Sequence, residues 1–134
     1  MPAVIVTVSQ ISATASSASV REHDLTMDRP EAKGGGNAGM MGGEALLAGL
    51  GGCFMSNLLA AAAARNILLS EVKAEVTGQL ATEGPSRFTA IGLAVSGDSS
   101  DPGEFAKLCA VAEKGCIVAN TLRASVELSV RVGS

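Results

Sequence analysis

The longest weakly polar stretch, from Ala45 to Ala64, constrains most of what this chain can become. It is long enough to cross a bilayer. Its content argues for another fate, because Gly49, Gly51, Gly52, Ser56, Asn57 and a run of alanines make it a poor inserter. The reading is a helix from Glu44 to about Arg65 or Asn66, buried on nearly all sides inside a soluble protein. An acid in its first turn and a base in its last suit the helix dipole. The internal glycines each cost roughly 1 kcal/mol against alanine. Close approach of another backbone around Cys53 is the expected compensation.

A single domain over residues 1–134 follows from the length. The chain is 47% hydrophobic but only 2% aromatic, so its core must be built from Ala, Val, Leu, Ile and Met. Such side chains bury little area each, which favours an oligomer over a monomer. A net charge of −3, without any basic cluster, argues against nucleic acid as a partner. The opening Met1-Pro2-Ala3-Val4 has no charged segment ahead of an apolar one. Together with the odd cysteine count of 3, this predicts the reducing cytoplasm rather than a secreted disulfide framework.

Around the long helix the pattern is mixed. Val4 to Val8 with Ile11 reads as a first strand, Ser16-Ser17 as a turn, and Ala18 to Met27 as a second strand closed by Pro30. Glu31 to Gly43 is loop-like and glycine-rich. After the helix, Glu71 to Thr82 alternates polar and apolar residues. Glu83-Gly84-Pro85 turns into a strand over Ser86 to Ser96. Asp101-Pro102-Gly103-Glu104 carries the signals of a helix start, and Gly115 is placed as that helix's C-cap. Cys116 to Leu122 is a short turn or helix, and Ala124 to Val132 a closing strand. The order β-β-α-β-β-α-β predicts an α+β fold with a largely antiparallel sheet.

The chemistry available is narrow. With one histidine, no tryptophan and no tyrosine, most catalytic constellations lack their parts. His23 lies between Glu22 and Asp24, but three adjacent residues on a strand cannot all face one ion, so it reads as surface and no metal is expected. Gly34-Gly35-Gly36 lacks the Lys-Ser/Thr ending of a phosphate loop. The cysteines remain. Cys109, between Leu108 and Ala110, reads as core. By the residues alone Cys53 fits either a buried core thiol or a reactive one. Cys116 follows Gly115, where backbone N–H groups of the next turn can face it.

Two runs then carry a resemblance: Ala48-Gly49-Leu50-Gly51-Gly52-Cys53 on the helix, and Ala112-Glu113-Lys114-Gly115-Cys116-Ile117-Val118-Ala119-Asn120-Thr121-Leu122 later. With a glycine-rich loop and an acid-Leu-Leu helix start ahead of them, the chain resembles the OsmC/Ohr family of thiol peroxidases over nearly its whole length. The resemblance implies an intertwined homodimer in which two central helices are covered by sheet. It implies that Cys53 attacks an organic hydroperoxide and becomes a sulfenic acid, which Cys116 resolves to a disulfide. A dithiol of lipoyl type would restore the pair, with no metal or organic cofactor. An arginine, Arg29 or else Arg21, and Glu44 would lower the thiol pKa and orient the peroxide.

The chain also departs from that family. Glu44 lies nine residues before Cys53, where the family's glutamate lies ten before, so its direction is turned by roughly 100° on a helix. Ile117 stands where a proline usually follows the second cysteine. These departures motivate two alternatives: a catalytically weak dimer of the same fold that binds a small apolar ligand, and a thiol redox sensor.

Overall fold

The computed structural model describes residues 2–133; Met1 and Ser134 lie outside the described residues. Two compact units divide between Leu46 and Leu47. The first holds a three-stranded antiparallel sheet of β1 (Thr7–Gln10), β2 (Ser16–Val20) and β3 (His23–Met27). Val4, Ile5 and Val6 precede β1 and are exposed, so the first strand starts later than their β-branched run predicts. The turn ahead of β2 lies at Ser12–Thr14, where the Ser12 hydroxyl accepts from the N–H groups of Thr14 and Ala15. The expected turn at Ser16-Ser17 is instead the start of β2.

The expected long second strand is in fact a hairpin. Arg21 sits at φ 54 in the β2–β3 turn, and Val20 pairs with His23 across it. No Gly, Asn or Pro marks this turn, and an arginine in the left-handed region is uncommon. The loop after β3 is closed on Asp28, whose carboxylate accepts backbone N–H bonds from Arg29, Gly36 and Ala38. A short 3-10 turn, Glu31–Lys33, lies inside it. Gly35 and Gly39 are required there, since an added Cβ would meet the Arg29 and Thr26 carbonyl oxygens at 2.0 and 2.1 Å.

The long helix, α1 (Gly42–Ala64), spans the division between the units. By length and composition it could cross a membrane. Its buried positions form one stripe, Leu50, Phe54, Leu58, Ala61 and Ala62, the i, i+4 spacing of a single helix face. The prediction of burial on nearly all sides is therefore corrected: Leu46 and Leu59 are exposed, because within one chain only one face is covered. Of the three internal glycines, only Gly51 has a neighbour, the Val76 side chain. Among the described residues, nothing lies within 4 Å of a Cβ added at Gly49 or Gly52.

The second unit pairs β4 (Leu69–Leu80) with β5 (Phe88–Ser99) as an antiparallel ribbon. The alternation in β4 turns Val72, Ala74 and Val76 inward and Lys73, Glu75 and Thr77 to water. Val72 and Val76 join Ile91, Leu93 and Val95 of β5 in packing on the core formed by the α1 stripe, Leu108, Ala112 and Cys116. A short 3-10 turn, Pro102–Glu104, leads into α2 (Phe105–Gly115), followed at once by α3 (Ile117–Arg123). Asp101 makes no side-chain cap bond there. Nor is Gly115 a left-handed C-cap; it ends α2, and Cys116 takes the extended cap position.

The closing strand predicted over Ala124 to Val132 does not form in the single chain. Leu128, Val130 and Val132 are 87, 89 and 93% exposed. A strand needs a ladder partner, and none is offered to this segment by its own chain.

Candidate active site

The extended backbone at Cys116, φ −77 and ψ 108, breaks the chain between α2 and α3 and makes Cys116 the N-cap of α3. Its sulfur accepts from the Ala119 N–H at 3.5 Å, and the residue is fully buried. The same break exposes the first N–H groups of α3, which have no partner inside their own helix. Cys53 is partly buried on α1. The Val118 N–H, the Cys116 thiol and the Ile117 N–H are the groups of this break that act on the acidity of Cys53. The two cysteines, 63 residues apart in sequence, act on each other's acidity.

Their acidities are pushed apart. The Val118 N–H holds the Cys53 thiol below the ordinary value of 9.0, against the opposing effect of burial. The Cys116 and Ile117 donors act in the same direction. Burial pushes Cys116 above the ordinary value, reinforced by its hydrogen bond to Cys53 and by the charge there. The arrangement makes Cys53 the more acidic thiol of the two and Cys116 the less acidic. Cys109, partly buried on α2, is pushed up by burial, and no hydrogen bond to either of the other sulfurs accompanies it.

Glu44 stands in the first turn of α1 and accepts from the Met41 N–H at 2.8 Å through Oε1. That is one half of a capping box, without the reciprocal Ser or Thr. Arg29 follows Asp28 and lines a cleft of about 410 Å³ in the first unit with Thr14, Lys33 and Met41 among others. Arg21 occupies the β2–β3 turn. Among the described residues the ion pairs are Lys107–Glu104 and Arg123–Glu113, so neither arginine is paired with Glu44. No group of three His, Cys, Asp or Glu side chains comes together as metal ligands among the described residues.

The second unit also holds a cavity of about 430 Å³. Leu50, Phe54, Ile91, Leu93 and Cys109 give it apolar walls, with Glu113 and Arg123 also in its lining.

Residues 34–131, well over half of the chain, match the protein family described as OsmC-like protein. The chain belongs to the OsmC-like family. Its fold is similar to that of an OsmC like protein from Mycoplasma pneumoniae, with a TM-score of 0.78 and 24% identity, over 91% of this chain and 88% of that one. It is also similar to an organic hydroperoxide resistance protein OsmC from Legionella pneumophila (TM-score 0.62, 19% identity, 92% of both chains). An organic hydroperoxide resistance protein from Elizabethkingia anophelis has a TM-score of 0.59 and 17% identity, over 94% of this chain and 93% of that one. At these identities the likeness is one of fold. No curated protein sequence matches the chain.

Sequence reasoning singled out both cysteines of this OsmC-like chain but missed two partners of Cys53. One is the pair of backbone donors at Ile117 and Val118, signalled only by the absence of proline at 117. The other is Asn57, one turn along α1, whose Nδ2 donates to the Cys53 carbonyl at 2.9 Å and lies 3.8 Å from its sulfur.

Proposed function

We propose that this OsmC-like protein is a thiol-dependent peroxidase acting on organic hydroperoxides, with Cys53 as the attacking thiol and Cys116 as the resolving one. The observation that carries the reading is Cys53 packed on the core that holds Cys116, its acidity raised by the Val118 N–H, the Cys116 thiol and the Ile117 N–H. A thiolate so favoured is the nucleophile that peroxide chemistry requires. Cys53 attacks the terminal oxygen of ROOH, the O–O bond breaks, and the alkoxide leaves as ROH after taking a proton. The resulting sulfenic acid is met by Cys116: an S–S bond forms and the hydroxyl leaves as water. A dithiol, such as a dihydrolipoyl group, reduces the disulfide by exchange and becomes a disulfide itself.

In this reading Arg29 orients the hydroperoxide and Glu44 steadies it, and the reaction runs in the cytoplasm. The working form is a homodimer. The uncovered face of α1 and the alternating Val126, Leu128, Val130 and Val132 are the apolar surfaces that a second copy would bury. The second reading, an apolar-ligand binder, is favoured by the cavity between α1, β5 and α2.

Steady-state turnover of cumene hydroperoxide with a lipoyl dithiol as electron source tests the proposal. The peroxidase predicts saturable consumption that Cys53→Ser abolishes. Consumption no faster than that of a free thiol, in both proteins, refutes it and moves attention to ligands of the cavity.

A further inference from the structure

Asn57 and Gly115 are each out of place by local preference. Asn57 is a weak helix former in the middle of α1, and Gly115 sits at the end of α2 without the left-handed backbone that calls for glycine. They explain one another. A Cβ added at Gly115 would lie 2.9 Å from Asn57 Oδ1 and 3.6 Å from its Cγ, so the glycine is the space into which the Asn57 amide fits.

The other end of that amide points at Cys53. Nδ2 carries two hydrogens, and the nitrogen is 2.9 Å from the Cys53 carbonyl oxygen and 3.8 Å from Cys53 Sγ. The carbonyl can only accept, which fixes nitrogen on that side and oxygen on the Gly115 side. One amide therefore bridges the helix that bears Cys53 and the residue immediately before Cys116.

We propose that Asn57 is a positioning residue of the two-thiol centre, directing an N–H at Cys53 Sγ and setting, through Gly115, how closely Cys116 is carried to it. The inference deepens the two-cysteine reading and rests on it for its meaning in turnover. A donor aimed at sulfur favours the thiolate. A side chain wedged between α1 and the end of α2 fixes the geometry in which the disulfide closes.

Two readouts test this without any peroxide. The first is the pH profile of Cys53 alkylation by iodoacetamide, followed by peptide mass spectrometry. Asn57→Leu, of similar size but without donors, should raise the midpoint by about half a pH unit and slow reaction below it by about threefold. Asn57→Ala, which a helix accommodates readily, should do the same. The second is the rate of Cys53–Cys116 disulfide closure with diamide. Gly115→Ala should slow closure on the order of tenfold, and adding Asn57→Ala should bring it back to the rate of Asn57→Ala alone by removing the obstructing amide. Superimposable alkylation profiles for the wild type and both Asn57 variants would overturn the proposal, as would a Gly115→Ala defect that Asn57→Ala leaves uncorrected. Since neither readout uses hydroperoxide, a wild type inert to cumene hydroperoxide would sink the peroxidase reading alone.

Discussion

Two acidic groups in this molecule have their pKa lowered by the same device, in different surroundings. Asp28, in the first unit, accepts from the backbone N–H groups of Arg29, Gly36 and Ala38. Cys53, in the second, has its acidity raised by those of Val118 and Ile117. In both, backbone donors stabilise the charged form and lower the pKa, the Ala38 N–H leading at Asp28 and the Val118 N–H at Cys53. The difference lies in what else is present. Asp28 is 5% exposed, and its backbone donors belong to the loop it closes, with the Thr14 side chain acting in the same direction, so its charge serves folding. Cys53 is only partly buried and faces a second thiol. Backbone donors favour the charged form in both places; the neighbours differ, a closed loop at Asp28 and a second thiol at Cys53.

The largest expected effect is at the nucleophile. With limiting iodoacetamide at pH 7, below the ordinary thiol value of 9.0, Cys53 should be modified ahead of Cys109 and Cys116, whose thiols are pushed up. Cys53→Ser should lower hydroperoxide consumption at least about a hundredfold. Equal labelling of all three cysteines would break the comparison at its chemical end.

Next comes the clamp. Asp28→Ala leaves the Gly36 and Ala38 donors without their acceptor and should lower the thermal midpoint by several degrees. The Cys53 alkylation midpoint should not follow. The sign of the pH dependence is set by the lowered pKa. The stabilisation is present above the unfolded carboxylate's pKa and is lost as pH falls through the folded value. Acid should therefore open the Gly34–Met41 loop to proteolysis, and Asp28→Ala should remove that dependence. A loop equally resistant in both proteins at every pH would show that the carboxylate holds nothing.

The smallest effect is at Glu44, whose bond to the Met41 N–H is a helix cap. Glu44→Ala should cost roughly 0.5 kcal/mol in a denaturant melt. A fall in peroxidase rate out of proportion to that cost would assign the carboxylate to the hydroperoxide as well; a proportionate one confines it to the cap.

What the sequence made legible follows from how local each signal is. The α1 helix, the β4–β5 alternation and the core face of α2 are written in period and composition, and they stand where expected within a few residues. The Arg21 turn was hidden because its left-handed backbone is taken by a residue that does not advertise it. Ala124 to Val132 has the alternation of a strand, but strand formation needs a partner and one chain supplies none. Cys53 and Cys116 were legible as motifs, whereas the donors at Ile117 and Val118 belong to the backbone and have no residue signature. Gly115 was legible as a helix end for the wrong reason: it makes room for Asn57 rather than for a left-handed turn.

The most direct test of the central claim is intact-mass analysis of reduced Cys116→Ser after brief exposure to cumene hydroperoxide, beside wild type treated in the same way. The two-thiol account predicts that the variant gains one oxygen on Cys53 and stops there, trapped as the sulfenic acid. Wild type should lose two hydrogens and yield a Cys53–Cys116 disulfide. An unmodified Cys53 in the variant, or a wild-type disulfide that joins Cys109, would contradict it.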